Sequence, residues 1–261
     1  MDDNKILEII ERDPYYIRLV EKPTEEMLSL AVRKNGTLLK YFDKPSVEIK
    51  WEALRSNVWA IEYIKEPTEE MQLYASERAW NTLRFIKNPS EAVLKAATAQ
   101  KGWTIQYVDN PSEELQLLAV EKDWDSIQYI VNPSEMVQLA AVKRYFGAVK
   151  YIKNPTAAVQ KEAVRVNAEA VFYIKNINEA IKTELIKENL DALKYLEGIS
   201  DKVVEEVIKE KIKQEKVDKQ FLVRLLNFTT LDMNKLLFIY KYGSMEAKRI
   251  TVDYMLGEQF K

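Results

Sequence analysis

Apolar and polar positions along this chain repeat with a fixed period. Proline stands at Pro23, Pro45, Pro67, Pro89, Pro111, Pro133 and Pro155, always 22 residues apart. With proline as position 1, position 5 is Met27, Ile49, Met71, Val93, Leu115, Val137, Val159 and Ile181. Position 9 is alanine from Ala31 to Ala163 and then Leu185; position 17 runs Leu39, Ile61, Leu83, Ile105, Ile127, Val149, Val171 and Leu193. Position 19 is aromatic throughout, from Tyr41 to Tyr195, and position 20 runs from Phe42 to Leu196. An uninterrupted period in this range marks a solenoid, in which each unit buries its apolar face only against its neighbours.

Each unit reads as two short helices. The first is expected to open on Asn-Pro-Ser/Thr-Glu, as at Asn110, Pro111, Ser112 and Glu113, with Asn as the cap, Pro at the first helical position and Glu at the third. Positions 5 and 9 then lie one turn apart on one face. The second helix carries positions 16, 17, 19 and 20, a broad apolar arc that must touch its own partner and both neighbours. The predicted fold is all-α: a right-handed α-solenoid of 22-residue two-helix repeats with a C-terminal helical cap module. Residues 1–22 form a degenerate N-terminal capping repeat, 23–198 eight repeats, and 199–261 the C-terminal module, where the 22-residue phase is lost. That module reads as four helices, near Asp201–Lys216, Phe221–Phe228, Leu231–Tyr242 and Ser244–Leu256. It serves either as a cap or as a second contact surface.

Composition narrows the chemistry. The chain has no cysteine and no histidine, which removes disulfides, thiolate metal sites and the commonest general base together. The carboxylate pairs, such as Glu69-Glu70 and Glu113-Glu114, fall in first turns, where the helix dipole accounts for them. No glycine-rich phosphate loop or nucleophile elbow occurs. No catalytic residue, metal site or cofactor is therefore expected. A net charge of −2 gives no bulk attraction to nucleic acid or anionic membrane. The N-terminal stretch MDDNKILEII carries no signal peptide or membrane span, so the expected compartment is the cytoplasm.

The invariant positions describe the scaffold, so function is sought at the variable ones. Positions 12 to 15 gather Trp59, Arg78, Trp80, Lys101, Trp103, Lys122, Trp124, Arg144 and Tyr145. Tryptophan, tyrosine and cations on equivalent positions of successive repeats have the composition of an interface hot spot. Whether the indoles face solvent or fill grooves between turns is open at this point. The tyrosines of position 19 read as a packing ladder.

The run N-P-[ST]-E-E…L-A-A-V followed by A-I-x-Y-I-K resembles the short α-helical repeats of bacteriophage and bacterial proteins, and is similar to leucine-rich-variant α-solenoids. The resemblance covers residues 23–198. It implies architecture foremost. A phage origin would imply a bacterial host protein as partner, such as an immune component that the chain inhibits. Three functions follow: a non-enzymatic protein-binding scaffold, a nucleic-acid-binding superhelix, or an enzyme with its chemistry in the C-terminal module. The row at positions 11 and 12 mixes Arg33 and Lys143 with Glu77 and Glu121, so it lacks the regular base-reading set of an RNA code. The first function is preferred; the oligomeric state is open.

Overall fold

A computed structural model of the chain describes residues 2–229 and 231–259. The described residues are 72% helical, and no strand occurs among them. The architecture is an all-α solenoid of repeating helix pairs. The chain divides into two compact units, residues 1–131 and 132–261, and the division falls between repeats.

In the first unit, α1 (Asp3–Arg12) is followed by α2 (Glu25–Lys34), α3 (Val47–Ser56), α4 (Glu69–Ser76), α5 (Glu91–Gln100) and α6 (Glu113–Lys122). Each is followed by a six-residue 3-10 helix, such as Val58–Tyr63 and Gly102–Tyr107. The second unit continues with α7 (Glu135–Arg144), α8 (Ala157–Val166) and α9 (Glu179–Glu188) in the same alternation. It ends in α10 (Asp201–Ile212), α11 (Lys219–Asn227), α12 (Lys235–Tyr242) and α13 (Met245–Gln259), the four helices expected there.

The first helix begins two residues later than the sequence pattern predicts. Its cap is the residue after proline: the hydroxyl of Ser112 accepts from Leu115 N at 3.3 Å, and Thr68, Ser90 and Ser134 act alike. The asparagine before proline lies outside the helix, with left-handed backbone at Asn88 (φ 51°), Asn110 (φ 50°) and Asn132 (φ 52°). Proline disfavours right-handed helical geometry in the residue before it, and asparagine tolerates the left-handed region. Asn-Pro is thus a bend, and Ser or Thr starts the helix.

The second helix is 3-10 rather than α. Position 13 ends the α-helix with an extended backbone, its N–H donating to the position 9 carbonyl, as Asn57 N does to Ala53 O at 2.8 Å. Where position 13 is asparagine, its side chain also caps the 3-10 helix: Asn57 Oδ1 accepts from Trp59 N at 3.0 Å. Three residues per turn bring positions 15 and 18 onto one side and 16 and 19 onto another.

Positions 5, 9, 10, 16, 17 and 20 supply the core. In the first unit Ile49, Ala53, Leu54, Ala60 and Ile61 belong to one cluster with Met71 and Val93. A Cβ placed on Gly36 would come within 2.1 Å of Ala53 O, and one on Gly102 within 2.3 Å of Ala119 O. At these two repeats the start of the 3-10 helix therefore abuts the backbone of the next repeat, which leaves no room for a side chain at Gly36 and Gly102. In the second unit, Ile186 and Leu190 of the eighth repeat share a cluster with Val207, Ile208, Leu222 and Leu225. Arg224 of α11 donates to Asn189 Oδ1 at 2.8 Å, while Asn189 Nδ2 donates to Val164 O at 2.9 Å. The C-terminal helices thus close the end of the repeats with both apolar and polar contacts.

Candidate functional site

The residues singled out at positions 12 to 15 do not share one environment. Trp59 and Trp103, both at position 15, open their 3-10 helices and are half-buried. Each indole packs edge-on against the position 19 ring of the next repeat: Trp59 on Phe85 at 6.2 Å and Trp103 on Tyr129 at 6.1 Å between centroids. Such edge-to-face contacts are favoured by the ring quadrupole and hold both rings in place.

Charged groups complete both pairs. The guanidinium of Arg84 lies 5.5 Å from the Trp59 ring and 4.7 Å from the Phe85 ring. Lys101 Nζ lies 4.8 Å from the Trp103 ring and 3.0 Å from Asp123 Oδ1. Asp123 Oδ2 also accepts from the backbone N of Gly102 at 2.7 Å. Trp103 Nε1 donates to Asp125 Oδ1 at 2.7 Å, so the carboxylate sits among the rings and cations. A cation over an aromatic face is attracted by about 0.5–1 kcal/mol at exposed sites.

Trp80 is one position earlier and is packed against the core cluster of its unit. Trp124 is half-buried, and Lys122 is exposed at the end of α6. Arg78 turns to the α-helical side: its guanidinium lies 3.6 Å from the Tyr74 ring and donates to Tyr74 O at 3.2 Å. Tyr74 in turn meets Trp51 edge-on at 5.5 Å, and Arg55 lies over Trp51 at 5.6 Å. The first unit therefore carries aromatic-cation groups both on its 3-10 helices and on α3 and α4.

In the second unit Arg144 and Tyr145 are exposed at the end of α7. The Tyr145 ring lies across Gly147, where any Cβ would fall within 2.3 Å of the ring, and stands 4.8 Å from Phe146. Phe146 meets Tyr173 of the next repeat at 6.4 Å.

The position 19 rings pack between repeats, as expected, but several keep one edge at the surface. Tyr41, Tyr107, Tyr151 and Tyr173 are about two-fifths exposed. A hydrogen bond from Arg18 holds the Tyr41 hydroxyl below the ordinary phenol pKa. Arg84, Asp125 and the position 19 rings join the site although no single-repeat pattern marks them. Each meets a tryptophan of the preceding repeat, so only the stacking of repeats brings them together.

Among the described residues no group of three or more His, Cys, Asp or Glu could hold a metal ion, and no helix is long and apolar enough to cross a membrane. No protein-family model, curated protein or solved structure matches the chain.

Proposed function

We propose that the chain is a non-enzymatic solenoid that binds a protein partner along its 3-10 helices. One observation carries this reading: Trp59, Arg84 and Phe85, and Lys101, Trp103 and Tyr129, are ordered across adjacent repeats while part of each ring remains accessible. Rings and cations already fixed in place lose little entropy on docking, and such anchors dominate interface energetics. Asp123 and Asp125 inside the same group favour a protein over a nucleic acid, since they place carboxylates where phosphates would have to approach. The resemblance to phage repeat proteins points to a bacterial host protein as the partner, with inhibition of a host immune component in the cytoplasm as the outcome.

The test is capture of a partner from a bacterial lysate with the tagged full chain, followed by titration of the purified partner. Retention of one protein by the parent chain, and its loss with Trp59→Ala/Trp103→Ala, is expected. Tight binding of a mixed-sequence oligonucleotide with a steep salt dependence would replace this reading with a nucleic-acid one.

A further inference from the structure

The packed side of the C-terminal helices explains only half of their apolar residues. Ile239, Ala247 and Ile250 face the core of the second unit. On the opposite side α12 exposes Leu236, Leu237 and Tyr240, the last at 74%, and α13 exposes Met245, at 80%, with Val252 and Leu256. The two helices form one surface. Lys248 Nζ lies 5.4 Å from the Tyr240 ring, while Leu236 and Met255 line the same hollow. Exposed apolar side chains gathered on two adjoining helices are the mark of an interaction surface.

The spacing on α13 adds a second argument. Met245, Arg249, Val252 and Leu256 are separated by four, three and four residues, the spacing of a coiled-coil seam. In an antiparallel pair of α13 helices, Met245 would meet Leu256 of the second copy and Arg249 would meet Val252. Arg249 and Asp253, both exposed, would then lie near one another twice across a two-fold axis. Arg249 is already held by Glu246 at 2.7 Å, so its charge is compensated as the seam closes.

We propose that α12 and α13 form the interface of a homodimer, in which a second copy of this chain packs on them as an antiparallel four-helix arrangement. Sedimentation equilibrium of the full chain at micromolar concentrations should give twice the 30.5 kDa chain mass. Tyr240→Glu with Val252→Glu should weaken association by about tenfold or more and leave the circular dichroism unchanged, because both residues are exposed. The absence of native cysteine allows a second readout that does not depend on that variant. Val252→Cys lies within a turn of the axis and should give a disulfide-linked dimer on mild oxidation, while Glu113→Cys should not. A monomer throughout the concentration range would overturn the proposal. So would a dimer that persists in the double variant, or equal cross-linking at both cysteines. A chain that stays monomeric but pellets with phosphatidylglycerol vesicles would assign this face to a membrane surface instead.

Discussion

The indole N–H of Trp103 donates a 2.7 Å hydrogen bond to Asp125, one repeat further on and at the same position of that repeat. The bond fixes the ring beside Tyr129 and Lys101, so a variable position takes part in repeat-to-repeat packing as well as in the surface. Trp103→Phe and Asp125→Ala should each cost about 1 kcal/mol. The double variant should cost less than their sum, with a coupling of about 0.5 kcal/mol or more. Denaturant unfolding of the four proteins measures this, and strict additivity would mean that the bond does not form.

The start of each first helix gives a sharp comparison. Ser112 caps α6, and Asn110 before the proline has left-handed backbone. Ser112→Ala should cost about 0.5–2 kcal/mol. Asn110→Gly should be neutral or slightly stabilising, since glycine accepts that conformation freely. Melting temperatures in the opposite order would return the cap to asparagine.

Much of this fold was readable in the residues themselves. The 22-residue frame, the alanine column and the four C-terminal helices follow from the spacing of apolar positions. The cap was ambiguous because Asn110 and Ser112 are both good capping residues and lie two apart. The type of the second helix was ambiguous because positions 16, 17, 19 and 20 share one face at either period, an arc of roughly 160° at 3.6 and 120° at 3.0 residues per turn. Position 10, buried from Val32 to Ile186, was missed because Ser76 and Thr98 interrupt its apolar run. The site was readable in composition but not in membership. Arg84 reaches Trp59 only through the contact between neighbouring repeats, and Arg78 turns away to Tyr74.

Two glycines should respond oppositely to the same substitution. A Cβ on Gly102 would meet Ala119 O at 2.3 Å, a backbone atom that cannot yield without moving a layer. Gly102→Ala should therefore destabilise by about 1–3 kcal/mol. Gly257 lies in α13 with nothing within 4 Å of its added Cβ, and Gly257→Ala should stabilise by up to about 1 kcal/mol. Equal effects in thermal unfolding would contradict the interlayer contact.

Acid should remove one identifiable contribution. Hydrogen bonding from Arg165, at 2.7 and 2.8 Å, holds the Glu162 carboxyl below the ordinary carboxylate pKa, against the opposing effect of its partial burial. A carboxylate with a depressed folded pKa stabilises fully above its unfolded pKa, and the contribution fades as pH falls through the folded value. Glu162→Gln should lower the melting temperature at neutral pH by an amount equivalent to about 1 kcal/mol or less, since Arg165 is mostly exposed. The difference from the parent should close on acidification below the usual carboxylate range. A difference that widened in acid would reverse the sign of the coupling.

The partner-binding role of the 3-10 helices is tested most directly by measuring affinity and melting temperature together for two pairs of variants. Trp59→Ala/Trp103→Ala removes both ring pairs, while Glu70→Ala/Glu113→Ala alters exposed first turns of α4 and α6. Titration of the captured partner should show the tryptophan pair weakening binding by about tenfold or more, with a fall in melting temperature of about 10 °C from the lost ring contacts that leaves the chain folded at the temperature of the titration. The glutamate pair should leave both quantities near those of the parent. Unchanged affinity in the tryptophan pair, or a loss of affinity in the glutamate pair instead, would contradict the account.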